Sequence, residues 1–364
     1  MRPLLISYPG LKEKLSHIDL GEFPTPVQKL DNLGRYLGND DIYLKNDGLS
    51  APVYCGNKVR KLEFLLAEAL DEGAKEVLTF GFAGSNHATA TAFYAEKIGI
   101  KSISMLMPQP NARYLRKNLL MSYRAGAELH QYPDKKFLAL GTINEMIKHM
   151  VKRGQFPKII PAGGSSPPGV AGFINAAMEL KIQIREGLLP EPDKIYVPMG
   201  TGGTAVGLMI GVKLSELKTR IIPVRVIDSQ YANEDIVCNL FNKTISFLRE
   251  KDPTFPHLKI SKEEIELKEG FFGQEYALFT QEGMNAVRLL DDKEGIKLDG
   301  AYTGKAFAGL LSDLKKGKLK DEVVVFWNTY NNRDLSHLIS NIDYHDLPEV
   351  FHGYFEEDLQ PLEI

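Results

Sequence analysis

The sequence predicts an α/β chain of two domains, each an open sheet covered by helices on both faces to give three layers. Three observations lead there. Between Glu76 and Pro133 the pattern runs strand, helix, strand, helix, strand, an alternation that calls for parallel strands with covering helices. The same alternation returns in the second half, from Gly169 to Asp228 and again at the end. Finally, an apolar strand, DKIYVPMG, passes through a cluster of glycines directly into a helix.

In order, a Pro-punctuated lead-in (FPTPVQKL) precedes the strand DIYLKND and a turn-rich stretch from Gly48 to Asn57. Val59, Leu62, Leu65, Leu66 and Leu70 then fall at helical spacing, so an amphipathic helix starts near Asn57. The strand EVLTFG leads to a helix opening on Ser85 and Asn86, residue types that satisfy unpaired amides at a helix start. The strand KSISMLMP, the helix ARYLRKNLLMSYRAGA, the strand ELHQYP and a helix from near Phe137 to Arg153 come next. KIIPAGGSSPPG marks a crossing point. After it come the helix GVAGFINAAMELKIQI, the strand DKIYVPMG, the helix TAVGLMIGVKLSEL and the strand IIPVRVID. Residues 230–281 show little pattern beyond a charged helix from Cys238 to Glu250, and the end returns to order with AYTGKAFAGLLSDLKKG and EVVVFWN. The single Trp327 belongs to the core of that last strand. This order predicts a smaller domain, residues 60–162, inserted into a larger one built from residues 1–59 and 163–364.

Composition narrows the function. The 364 residues are 43% hydrophobic and 25% charged, and the net charge is −3. That balance argues against a nucleic-acid or anionic-membrane surface, which needs a concentrated basic patch. No run approaches the ~18 apolar residues of a membrane span, and MRPLLISYPG is too short in apolar residues for a secretory core. Two cysteines, Cys55 and Cys238, form no disulfide framework and fit a reducing cytoplasm. Cys55 reads as a small turn residue rather than a redox group. The eight histidines make no HExxH or Cys/His cluster, so no metal site is expected from motif. The expectation is a cytoplasmic protein that handles a small molecule.

The strongest chemical feature is Gly200-Thr201-Gly202-Gly203-Thr204. Three glycines let successive amides turn inward, two threonines add hydroxyls, and the helix start adds partial positive charge, which together cradle a phosphate. A plain tight turn would need one glycine. The loop is not a Walker motif, because no GK[ST] comes after it, and its glycines miss the dinucleotide spacing. Asp228 keeps a nucleotide reading open. The second feature is Lys58 in GNKVRKLEF, at the very start of a helix, where the dipole repels an ammonium and favours the neutral amine. Alone it reads as a surface lysine, and its neighbours Arg60 and Lys61 read as solvated charges. Ser85 and Asn86 alone are an N-cap pair, and Tyr302, Thr303 and Thr329 alone are structural.

Taken together, GNKVRKLEFLLAEAL, SNH, PAGGSSPPGVAGF, GTGGTAVGL and YTGKAFAGL resemble the fold type II, tryptophan-synthase-β-like enzymes that use pyridoxal 5′-phosphate (PLP). Within them the chain is similar to the branch of D-cysteine desulfhydrase and 1-aminocyclopropane-1-carboxylate deaminase, from FPTPVQKL to FWNTYNN. The resemblance implies PLP in a cleft between the two domains. It implies that Lys58 carries the cofactor as a Schiff base and that Gly200, Thr201, Gly202, Gly203 and Thr204 hold its phosphate. Asn86 matches the residue on the ring hydroxyl, and Thr329 the hydroxyl facing the ring nitrogen. Ser85, Asn86, His87 and Tyr302 match the substrate side, with Ser85 and Tyr302 acting on it. A homodimer is also implied.

The implied chemistry is removal of an α-proton by the Lys58 amine, with the cofactor as electron sink. The expected products are a 2-oxo acid and ammonia. Cyclopropane deaminases carry a glutamate directly after the tyrosine, whereas this chain has Thr303, as the desulfhydrases do. Sequence therefore favours β-elimination from D-cysteine or a similar D-amino acid, with cyclopropane-acid deamination as the alternative. A phosphometabolite-binding protein without catalysis is the alternative of another class. Two positions depart from the family: Gly84 stands where glutamine is usual, and Asn328-Thr329-Tyr330-Asn331 where His-Thr-Gly-Gly is usual.

Overall fold

The structure is a computed structural model and describes residues 2–363. Its strands are β1 (Val27–Lys29), β2 (Ile42–Asn46), β3 (Glu76–Phe82), β4 (Lys101–Met107), β5 (Glu128–Gln131), β6 (Lys158–Ile160), β7 (Lys194–Met199), β8 (Arg220–Arg225) and β9 (Val324–Asn328). They form two sheets, one ordered β1-β2-β9-β7-β8 and the other β5-β4-β3-β6. Apart from the antiparallel pair β1-β2, every pairing is parallel, as the alternation of strand and helix requires. β2 and β9 are buried at every residue; β9 therefore reads as an apolar run up to Asn328, whereas β2 carries Lys45 and Asn46 into the interior.

The chain divides into two compact units. The larger comprises residues 2–15, 21–61 and 165–333, and the smaller residues 16–20, 62–164 and 334–363. The larger unit's core joins Leu44, Tyr196, Val224, Phe307 and Phe326 across its sheet and helices. In the smaller unit, Leu78, Ile103 and Met105 form the centre, with Phe80, Leu138 and Met146 packed against them.

The sequence pattern assigns the whole carboxyl terminus to the large domain, and the structure corrects this: residues 334–363 pack with the smaller unit. Their polar segments find backbone partners there. Asn111 Nδ2 donates to the carbonyls of Glu357 and Asp358 at 3.1 Å each, and the Gln360 amide donates to the Asn111 carbonyl at 3.0 Å. Residues 16–20 likewise attach to the smaller unit, through the Ile18 amide on the Glu63 carbonyl (2.9 Å) and the Leu20 amide on Glu63 Oε1 (3.0 Å). Neither segment has a hydrophobic period that would have announced its destination.

Among the described residues, no helix is long and apolar enough to cross a membrane.

Candidate cofactor site

The glycine loop comes directly after β7 and opens the helix Gly203–Leu214, as expected. Gly202 sits at φ +82°, the left-handed region that a side chain disfavours. At Gly203 a Cβ would come within 2.6 Å of Ser165 Oγ and 2.8 Å of Lys61 Nζ, so only glycine lets the backbone lie this close to both. Hydroxyls line the same loop: Ser165 Oγ is 2.6 Å from Thr201 Oγ1 and accepts from the Gly203 amide at 3.1 Å. On the other side the loop is open, since a Cβ on Gly200 or Gly202 would meet nothing nearer than 3.7 Å. A glycine backbone free of side chains, hydroxyls, a helix start and the adjacent Lys61 make a fitting seat for a phosphate group.

Lys58 is the first residue of the helix Lys58–Asp71. Burial pushes its ammonium down to about 8, because the charged form loses hydration there. The depressed basicity expected at this position is thus present, but its cause is burial. The lysine is held beside the loop by its neighbour, since Asn57 Nδ2 donates to Thr204 Oγ1 at 3.0 Å. The Asn57 amide also donates to the Thr329 carbonyl at 3.2 Å. One short segment therefore fixes Lys58 against both the phosphate loop and the end of β9.

Arg60 and Lys61, expected as solvated charges, are each only 1% exposed. Arg60 anchors the helix start from below. Its guanidinium donates to both oxygens of Glu179 at 2.9 Å and to Asp47 Oδ1 at 3.0 Å, while its Cζ lies 4.2 Å from the centre of the Phe23 ring. Lys45 Nζ donates to Glu179 Oε1 at 2.6 Å, and Trp327 Nε1 donates to Asp47 Oδ2 at 2.9 Å. Two buried cations thus meet two buried carboxylates. Burial tends to raise the Glu179 carboxyl, but Arg60 and Lys45 bring it down to about 2. Burial likewise pushes Lys45 down to about 8 against the pull of Glu179. Such a network fixes one arrangement, since removing a member strands a buried charge. Lys61 faces the loop. Burial, and then the positive charge of Lys58, lower it well below an ordinary lysine. An anion at Gly203 would relieve both effects, so Lys61 joins the candidate cofactor residues.

Tyr302 precedes the helix Thr303–Lys315, and its ring approaches the loop: a Cβ on Gly200 would lie 3.7 Å from Tyr302 Cε1. The Tyr302 hydroxyl is hydrogen-bonded to that of Tyr276, whose ring meets it edge-on at 6.0 Å. Burial raises Tyr276 to about 12. Tyr276 escaped the sequence reading because it stands in an irregular stretch without periodicity. Thr303 is fully buried, and its hydroxyl donates to Asp299 Oδ2 at 2.6 Å. Asp299 also accepts from the amides of Ala301 (2.9 Å), Tyr302 (2.6 Å) and Thr303 (3.2 Å), so this carboxylate is spent on holding the turn that presents Tyr302. Thr329 is half-buried at the end of β9. The structure thus gathers Lys58, Gly200 to Thr204, Tyr302 and Thr329 within the larger unit.

Ser85, Asn86 and His87 belong to the smaller unit. Ser85 caps the helix Asn86–Lys97, its Oγ accepting from the Ala88 amide at 3.2 Å. Asn86 Oδ1 accepts from Asn118 Nδ2 at 2.8 Å, which orients its carboxamide. His87 is buried, 2% exposed. Gly84 has a local reason. A Cβ there would fall within 3.0 Å of Gln109 Nε2 and Leu115 Cβ, and 2.9 Å from the Tyr114 ring. Gln109 Oε1 accepts from the Gly84 amide at 3.0 Å, and its Nε2 donates to Tyr114 Oη at 2.7 Å. The space beside Ser85 is therefore filled by an amide from another segment.

The family described as pyridoxal-phosphate dependent enzyme matches residues 18–329, and the chain belongs to it, in fold type II. Its cofactor is PLP. More particularly, a protein of Pyrococcus furiosus named "Putative 1-aminocyclopropane-1-carboxylate deaminase" is 36% identical over 317 residues, 86% of this chain and 92% of that protein. A Thermotoga maritima protein of the same name is 35% identical over 295 residues, 81% of this chain and 90% of its own. A crystal structure titled as the ACC deaminase homologue superposes with TM-score 0.77 at 30% identity, covering 95% of this chain and 98% of that one. The tomato threonine deaminase isoform 2 structure, 18% identical with TM-score 0.58 over 93% of this chain and 85% of its own, shares the fold. The chain is thus a PLP-dependent enzyme of a deaminase and lyase family.

Proposed function

We propose that this enzyme deaminates a small amino acid to a 2-oxo acid and ammonia, working from Lys58. The observation that carries the proposal is a half-buried lysine of lowered basicity tied, through Asn57, to a glycine loop suited to phosphate. When bound, PLP would supply the electron sink at the substrate's amine-bearing carbon. Gly200 to Thr204 and Ser165 hold its phosphate, with Lys61 as counter-ion, and Asn86 and Thr329 orient its ring. Lys58 would be the attachment point and, once released by the substrate amine, the base that takes a substrate proton: a ring-methylene proton of the cyclopropane acid, whose α-carbon bears none, or the α-proton of a D-amino acid. Burial keeps that amine partly neutral near neutral pH, so it can do so without first losing a tightly held proton. Ser85 and Tyr302 contact the substrate and move protons at their hydroxyl oxygens. Tyr276, bonded to the Tyr302 hydroxyl, sets its direction.

The substrate within this class is the finer question. The names of similar proteins favour 1-aminocyclopropane-1-carboxylate over the D-cysteine that Thr303 suggested, and we adopt the cyclopropane acid. A second reading, β-elimination of sulfide from D-cysteine, rests on one specific observation. The position after Tyr302 offers no carboxylate, and the Thr303 hydroxyl is occupied by Asp299. Steady-state assays on the cyclopropane acid, D-cysteine, β-chloro-D-alanine and D-serine separate the two. Ammonia and 2-oxobutanoate are expected from the cyclopropane acid at the highest kcat/KM. A faster release of sulfide from D-cysteine would replace this reading with the second.

A further inference from the structure

In the smaller unit, β5 and the helix Lys135–Arg153 bring together Glu128, His130, Glu145 and His149. Glu128 and His130, two apart on a strand, point to one face, and Glu145 and His149, four apart on a helix, share another. One ligand atom from each of Glu128, His130 and Glu145 lies within 4.8 Å of the others. The individual separations are 2.9 Å from His130 Nε2 to Glu128 Oε1 and 3.8 Å to Glu145 Oε2.

His149 supplies the independent observation. It is buried, 2% exposed, and its Nδ1 lies 2.7 Å from Glu76 Oε2, which makes that nitrogen the donor. Its Nε2 has no hydrogen-bond partner among the described residues, yet it lies 3.4 Å from Glu128 Oε2 and 3.8 Å from Glu145 Oε2. With Nδ1 as donor, the Nε2 of a neutral ring presents a lone pair to two carboxylates, an arrangement that either a second ring proton or a bound cation relieves; the two histidines and two carboxylates gathered here favour the cation. We propose that Glu128, His130, Glu145 and His149 form a binding site for a divalent transition metal, of the zinc class.

The distances agree with that chemistry. Zinc ligands sit at about 2.0–2.2 Å in a tetrahedron, which spaces them by about 3.3–3.6 Å; the pairs above run from 2.9 to 3.8 Å. Two imidazoles with two carboxylates suit zinc rather than magnesium or calcium, which take oxygen. The Glu76–His149 bond is the outer carboxylate that fixes a ligand histidine's tautomer. Charge also favours a cation, because the lysine and arginine partners of Glu76, Glu128 and Glu145 are only Lys148 and Arg153 among the described residues. Arg153 Nε is bound to Glu76 at 3.1 Å. Lys148 reaches Glu128 at 3.2 Å and Glu145 at 2.8 Å, but its side chain is 49% exposed and can swing into solvent as metal enters. Lys148 is thus the competitor that the metal displaces. A motif search misses the site because its ligands come in two pairs from separate elements.

The test uses the tag-free holoenzyme, stripped with a chelator, incubated with zinc alone, passed through a desalting column and measured for bound metal. About one zinc per chain is expected, with visible bands of tetrahedral intensity when cobalt replaces zinc. His149→Ala and Glu145→Gln should lose the metal, and Lys148→Met, which deletes the competing ammonium, should hold it at least severalfold more tightly. Lys58→Ala should retain zinc in full, since the site is independent of the cofactor. No zinc above background in both wild type and Lys148→Met would overturn the proposal. So would retention undiminished in folded His149→Ala, or loss in Lys58→Ala.

Discussion

At pH 7.5 an ordinary lysine amine is neutral in about one molecule in a thousand, whereas one that titrates near 8 is neutral in roughly a quarter. Lys58 is of the second kind, and burial is the cause. Since only the neutral amine attacks an aldehyde, capture of PLP by the cofactor-free chain should speed up as pH rises and level off above about 8. Stopped-flow measurement of the growing yellow absorbance checks this. A rate that keeps climbing about tenfold per unit to roughly pH 10, where an ordinary lysine titrates, would show that burial does not depress the amine. Individual site residues were unevenly legible. Lys58 and the glycine loop stand out because helix starts and triple glycines are local signals. Arg60, Asp47 and Lys45 do not, since Glu179, which neutralises Lys45 and Arg60 in the core, stands 134 and 119 residues away from them in sequence. Gln109 takes the space beside Gly84 for the same reason: proximity made by folding leaves no trace in spacing.

The helices Pro167–Arg185 and Gly203–Leu214 show what an element-scale fit requires. A Cβ on Gly207 would lie 2.3 Å from Phe173 Cβ and 2.7 Å from the Val170 carbonyl, so the two helices touch backbone to backbone there. Alanine improves helix propensity by about 1 kcal/mol, while overpacking a tight contact costs about 1–3 kcal/mol. The clash should win. Gly207→Ala is expected to lower stability by up to about 2 kcal/mol in urea unfolding of the holoenzyme, and an unchanged or raised midpoint would mean that the helices separate freely. The periodic helices and the long apolar strands were readable because they bury one stripe or both faces. The short strands β1 and β6, three residues each, were not. The helix Gln281–Glu294 was also missed. Its Thr280 cap and Gly295 stop are present, but Met284, Val287 and Leu290 form too thin an apolar stripe among charges.

For the whole molecule, parallel sheets and an inserted smaller unit were legible in the strand-helix alternation. The return of residues 334–363 to the smaller unit was not, because polar contacts to Asn111 hold them there. The family match over residues 18–329 covers both sheets and both glycine-rich junctions. Within the larger unit three lysines of that match have lowered basicity and lie near the glycine loop or the Tyr302 turn: half-buried Lys58 and buried Lys305, each at about 8, and buried Lys61, well below its usual value. Basicity alone does not choose among them. Position does: Lys61 lies against the phosphate loop at Gly203, and Lys305 Nζ donates to the Phe272 carbonyl at 2.6 Å. Lys58 remains as the covalent partner. The direct test is borohydride reduction of the yellow holoenzyme, then proteolysis and mass spectrometry of the labelled peptide. Reduced cofactor is predicted on Lys58 alone, with no fixation in Lys58→Ala. Label on Lys61 or Lys305, or a wild-type chain that stays colourless with added PLP, would contradict it.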